Sequence, residues 1–360
     1  MKARINVLFF IQSILIITLT FSCSGRDEQD INELIQNARP IEGKFVSEAE
    51  DLYTSAELMV FLDPYLILYT PREEWLISVY DVDKKTFVNK FAKDGRGPEE
   101  FLMLYSMYVS SDKTKVLFWD AGKKELFSVS YDELTKPDLK ILSEARFRDQ
   151  FLHLFKLDDN DCYLGSGMIQ EGRFVTYCNG EKADIYRVFP QLNILKDDQA
   201  KNADTIHLNM ACVNSPSIKP DGALLANIIR TSEILEVFKY EYGIIQQIWS
   251  HEWSIEPQTL ESIGGGAAIV NQNSNAHGFE EITVSNEHIF CTYNEIPYSE
   301  RASGYVLHGN YIFKVDWDGD IESVFSLDHP LRLISVSPDG KRLFGIATID
   351  NNIRIIEYSF

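Results

Sequence analysis

LRLISVSPDGKRLFGIATIDNNIRIIEYSF, residues 331–360, reads as three strands joined by two tight turns. Residues 331–336 run into Ser337-Pro338-Asp339-Gly340, where proline presets φ and glycine accepts φ > 0. Residues 341–348 form the second strand, Asp350-Asn351-Asn352 turns the chain again, and residues 353–360 form the third. Three antiparallel strands in a row need a fourth beside them. This unit, one strand short, is the measure for everything upstream.

The same phrase recurs at spacings of about 50 to 65 residues, as expected of propeller blades carrying insertions. A strand precedes an acidic turn, a second follows it, and a hairpin leads to two more. Asp63-Pro64, Asp112-Lys113, Asp158-Asp159-Asn160, Pro220-Asp221-Gly222 and Asn286-Glu287 mark the earlier copies. Ile77-Ser78-Val79-Tyr80-Asp81-Val82 and Ile234-Leu235-Glu236-Val237-Phe238-Lys239-Tyr240 alternate with period two, as half-buried strands do. No stretch beyond residue 40 shows a helical period. A β-sandwich would not repeat one four-strand phrase six times, so the expected fold is all-β: a six-bladed β-propeller. The unassigned β-like stretch at residues 43–53 is expected to pair with residues 353–360 and close the ring. Residues 30–38 fit one short helix or part of a tether.

The front of the chain reads as an address. Lys2 and Arg4 precede an apolar core that runs to Phe21, shorter than a membrane span and flanked as a secretory signal is. Thr20-Phe21-Ser22-Cys23 resembles the lipobox of bacterial lipoproteins, with Thr20 where a strict lipobox has leucine. That resemblance implies lipidation at Cys23, and Ser24 after the cysteine implies the outer membrane. Asp27-Glu28 and Asp30 resemble the surface-export signals of Bacteroidetes lipoproteins, and equally suit a solvated acidic tether. The expected organisation is a signal peptide at 1–22, a lipid tether at 23–42 and the propeller at 43–360.

A formal charge of -20 repels phosphate backbones, so nucleic acid is not an expected partner. With 45% hydrophobic and 12% aromatic residues a sizeable core can form. No cysteine pair has zinc-site spacing, the histidines show no metal spacing, and no serine sits in G-x-S-x-G, so neither metal nor cofactor is expected. Cys162 and Cys178 stand in opposite register about a turn near Gln170. They either form a disulfide or remain two buried thiols.

Gly95-Arg96-Gly97-Pro98-Glu99-Glu100-Phe101 is similar to the G-x-G-P-x-E-F phrase of the TolB-like six-bladed propeller lipoproteins of Bacteroidetes. The resemblance implies a six-bladed propeller on the cell envelope and carries no catalytic residue onto this chain. The glycines either cradle an anion or, as turn-formers, set Phe101 into the core between two blades. Asp316-Trp317-Asp318-Gly319-Asp320 is similar to a calcium loop, but its Asp-Gly reads better as a tight hairpin.

Long irregular stretches at 93–102, 190–211, 252–280 and 294–310 all belong to the two loop classes that share one propeller face. A single functional face at the channel mouth is therefore expected, with Arg96, Arg230, Tyr293, Arg301 and His308 as candidate ligand contacts. The function expected is an envelope-anchored binding or scaffold module for a protein, peptide or glycan. The alternative is a propeller enzyme, a lyase or a glycan-cleaving protein, with its site at the channel mouth. The innermost strands offer His153 as their one metal-type ligand, which favours binding over catalysis.

Overall fold

Each repeat of the sequence folds into one antiparallel sheet, its strands in chain order from the channel outward. The computed structural model describes residues 30–46, 56–157, 161–167, 169–190, 205–230, 232–253, 259–264, 267–271, 277–300, 308–349 and 352–360. Blade one is Leu58–Leu62, Tyr65–Tyr69, Ile77–Asp81 and Thr86–Phe91. Blade two is Leu104–Val109, Lys115–Asp120, Glu125–Ser130 and Leu142–Arg146. Blade three is His153–Lys156, Cys162–Ser166, Phe174–Cys178 and Glu181–Tyr186. Blade four is Asn214–Ile218, Leu224–Ile229, Ile234–Glu241 and Ile244–Glu252. Blade five is Gly278–Val284, His288–Asn294, Gly309–Asp316 and Ile321–Leu331. The fold is the expected six-bladed β-propeller.

Blade six takes three strands from one end of the chain, Leu333–Val336, Arg342–Ile349 and Asn352–Ser359, and its outermost from the other. Lys44 and Phe45 pair antiparallel with Glu357 and Ile356, and the Val46 N–H donates to the Ile355 carbonyl at 2.9 Å. Val46 is buried, and its carbonyl accepts from the Tyr80 hydroxyl of blade one at 3.0 Å, which ties the closure to both neighbours. The expected closing strand at 43–53 is thus seen at 44–46; residues 47–55 lie outside the described residues. Arg39–Ile41 adds a parallel fifth strand to blade five, so the chain joins the propeller before residue 43. The helix Ile31–Gln36 is capped by the Asp30 carboxylate, which accepts from the Asn32 N–H at 2.9 Å. Ile31 sits in the core between blades four and five.

Three of the turns between first and second strands share one device. Asp112, Asp221 and Asp339 each accept from the backbone N–H two residues on, at 3.0, 3.0 and 3.2 Å. Asp316 does the same for Asp318 and Asp320, so that segment is a hairpin with Gly319 at positive φ, as its Asp-Gly suggests. Cys162 and Cys178 are directly paired across blade three and joined by a disulfide; Cys212 and Cys291 are buried thiols.

Two elements depart from the sequence reading. The fourth strand of blade two does not follow the third through a tight hairpin but begins only at Leu142 and runs to Arg146. A 3-10 turn at Tyr131–Glu133 follows the third strand, and Leu134 and Leu139 bury in the core before the chain returns. The link from blade three to four holds a helix, Thr205–Ala211, where none is expected. It touches a hairpin, Thr259–Gly264 with Ala267–Asn271, carried by the next link.

Between blades three and four lies an ion pair with no access to solvent. Arg173 is 0% exposed and holds Glu236 and the Asn214 side-chain oxygen, while the Asn227 amide donates to both partners. Burial alone would lower the Arg173 pKa, but the Glu236 charge and its hydrogen bonds together outweigh this and raise it. With both charges met, the pair fixes where Asn214, the first residue of blade four's inner strand, enters the channel wall.

Candidate functional site: the mouth of the central channel

In a four-stranded meander the hairpins joining second to third strands share a face with the links between blades. On this entry face every innermost strand begins. A cavity of about 600 Å³ follows the axis, lined by the first strands of all six blades. Its wall is largely apolar: Val60, Met107, Phe155, Pro216, Ile282 and Ile334 contribute. Three hydroxyls of these strands are used between blades. Ser106 bonds Leu154 through both its N–H and C=O, Ser335 accepts from the Phe61 N–H at 2.9 Å, and Thr283 accepts from the Val336 N–H at 3.2 Å.

Charge gathers where the strands start. Arg230 ends the second strand of blade four, its own N–H donating to the Val213 carbonyl at 3.0 Å. Its Nε donates to the Glu280 carbonyl at 2.9 Å, and its guanidinium pairs with the Glu281 carboxylate across the blade boundary. Arg332 links blades five and six, its N–H donating to the Ile346 carbonyl at 2.8 Å and its guanidinium to the Ala56 carbonyl at blade one. Among the described residues no carboxylate forms an ion pair with Arg332. Burial lowers the pKa of both arginines. Glu280 opposes this at Arg230 while the charge of Arg332 adds to it; Glu57 opposes it at Arg332 and Arg72 adds to it. His153 opens the inner strand of blade three beside them. Burial, then the Arg230 charge, push its imidazole down to about 4, so it is neutral at pH 7.

The sequence candidates separate. Arg230 lines the cavity. Arg96 is exposed on the link between blades one and two, away from the cavity lining. Tyr293 is 1% exposed inside blade five, its hydroxyl donating to Glu233 across to blade four, so it is a core residue and no ligand contact. His308 is likewise buried, and its carbonyl accepts from the Asn294 amide at 2.6 Å. Arg301 lies outside the described residues. Arg332 and Glu281 belong to the mouth as well, Arg332 one residue ahead of Leu333–Val336 and Glu281 inside Gly278–Val284; the signal available was a charged residue near the start of an inner strand.

The glycine phrase carries its own anion. The Glu100 carboxylate folds back to accept from the Gly97 N–H at 2.6 Å, and a Cβ on Gly95 would meet that carboxylate at 2.1 Å. Lys123 clamps the same turn through the Gly97 and Glu100 carbonyls at 2.7 and 2.6 Å. Phe101 then packs fully buried against Phe118 and Phe127, with ring centroids 5.5 Å apart in each pair. The phrase is a device for joining blades.

A family model described as TolB-like 6-blade propeller-like matches residues 57–339. Among solved structures the chain is similar to a Bacteroides fragilis protein described as exported, with TM-score 0.53 and 13% identity. That likeness covers 92% of this chain and 96% of the other. It is similar also to a DUF4221-family member from Bacteroides vulgatus, with TM-score 0.55 and 12% identity, covering 89% and 96%. At these identities the likeness is one of fold. No curated protein matches the sequence.

Proposed function

The chain belongs to the TolB-like six-blade propeller family, and on that premise we propose that it is an exported propeller lipoprotein that captures a ligand at the entry-face mouth of its channel. In this reading Cys23 carries the lipid that holds the protein to the outer membrane, and the propeller is a binding or scaffold module for an envelope ligand. The observation that carries it is the mouth itself. Two arginines and a neutral histidine stand at the rim of a cavity walled by apolar side chains, on the face that also bears the long links. Binding sites combine an apolar enclosure with a few placed polar groups in this way. A lyase or glycan-cleaving reading has no comparable observation behind it. Among the described residues no three His, Cys, Asp or Glu side chains gather as metal ligands.

The test is a photo-crosslinking amino acid placed on each face in living cells. Val213 and Arg96 lie on the entry face; Asp112 and Asp221 lie in first-to-second strand turns on the other. Adducts are expected from Val213 and Arg96 alone. Adducts arising only from Asp112 and Asp221, or from no position, would overturn the reading.

A further inference from the structure

Arg332 is the mouth's guanidinium without an ion pair among the described residues; the Glu57 charge, also in the lining, offsets it only from beyond ion-pair distance. The Arg332 side chain borders the cavity, is half-buried, and donates to a carbonyl. Arg230 beside it already has Glu281. Arg332 thus keeps room for one contacting carboxylate, and Glu57 and Glu281, both part of the lining, repel any further negative charge. His153, neutral at pH 7, adds none. A guanidinium presents parallel N–H donors that match the two oxygens of a carboxylate. Below the rim the wall is apolar, with Val60, Met107, Phe155 and Ile282 facing a volume of about 600 Å³.

We infer that the mouth binds a singly charged organic anion, a carboxylate carried on an apolar body, with Arg332 as its counter-ion and the channel wall as the seat of that body. The inference rests on the channel-mouth reading above and narrows it to one ligand chemistry. Phosphate esters, which bring nearly two charges at neutral pH, are disfavoured by the lining carboxylates Glu57 and Glu281.

The probes are 4-phenylbutyrate, 4-phenylbutanamide as the same body without charge, and phenyl phosphate, each titrated into the full-length protein by calorimetry. The carboxylate is expected to bind saturably at one site, about tenfold or more tighter than the amide or the phosphate, as for a charge-assisted pair. Arg332→Gln keeps a donor for the Ala56 carbonyl and is expected to lose about tenfold to hundredfold in carboxylate affinity. Arg332→Lys should keep part of it, and Lys341→Gln, exposed in a turn on the opposite face, should change nothing. No saturable carboxylate binding, equal binding of the amide, tighter binding of the phosphate, or unchanged affinity in Arg332→Gln would each overturn the inference. The comparison of carboxylate with amide uses the unaltered protein, so it stands even where a variant fails to fold. Entry-face crosslinks in cells with no carboxylate binding would sink this inference and leave the channel-mouth reading intact.

Discussion

His153 is a titration probe built into the rim. An ordinary histidine protonates near pH 6.5, and this one near 4, because burial and Arg230 oppose the charged form. On acidification the unfolded chain therefore takes up a proton that the folded chain refuses. The stability tied to His153 is fully present above pH 6.5, drains as pH falls from there, and stops changing below about 4. His153→Gln removes the titration, so the variant should lose about 1–2 kcal/mol less than the parent between pH 7 and pH 5. Urea unfolding at the two pH values measures this, and parallel losses in parent and variant would contradict it. At this scale the sequence was only partly legible. Arg230 was readable because a cation in a second-to-third strand hairpin has to sit on the entry face. Tyr293 was misleading because the carboxylate that takes its hydroxyl, Glu233, belongs to another blade, and nothing local reveals that pairing. Arg332 leaves no mark in the sequence because it sits one position ahead of Leu333, outside the pattern of the inner strand.

At the scale of elements, blade identity was easy to read and blade closure was not. In the turns of blades two, four and six an Asp accepts from the N–H two residues on, a local bond that leaves a local sequence mark. The closing strand has no such mark, since Lys44 and Phe45 gain their partners from the other end of the chain. The parallel strand Arg39–Ile41 is harder still: three residues, one of them proline, are held by a blade that is already complete. What disciplines the closure is Gly43. A Cβ there would meet the Ile356 side chain at 2.2 Å and the Tyr358 ring at 2.8 Å, both buried. Gly43→Val should lever the outer strand away and cost about 1–3 kcal/mol, as overpacking does. Exchange protection should fall first along Asn352–Ser359, whose outer edge loses its partner. Undiminished protection there, with an unchanged thermal midpoint, would show that these three residues do not hold the ring shut.

For the whole molecule, chain direction turns the closure into an orientation. Innermost strands leave the entry face, so second and fourth strands of each blade run towards it. Arg39–Ile41 is parallel to Ile321–Leu331, a fourth strand, and therefore also runs towards the entry face. The chain before it, with the helix Ile31–Gln36, consequently approaches from the opposite face. Asp30 is seven residues beyond Cys23, a reach of at most about 25 Å when fully extended. A lipid on Cys23 would thus hold the opposite face near the membrane and turn the channel mouth, Arg230 and Arg332 with it, outward. Net charge does not choose between the faces, since an acidic protein is repelled by anionic headgroups at either one. Tether length decides the orientation. The expected outcome is that Cys23→Ala leaves the membrane fraction. In the otherwise unaltered membrane-bound protein, a fluorophore on Asp221→Cys should be quenched by headgroup nitroxides while one on Arg96→Cys is not. Cys212 and Cys291, buried with thiol pKa values raised by burial, should not compete for the label. Lipid labelling that persists in Cys23→Ala would remove the anchor from the argument. Stronger quenching at Arg96 than at Asp221 would keep the anchor and reverse the orientation, placing the mouth against the membrane where only a lipid-borne ligand could reach it.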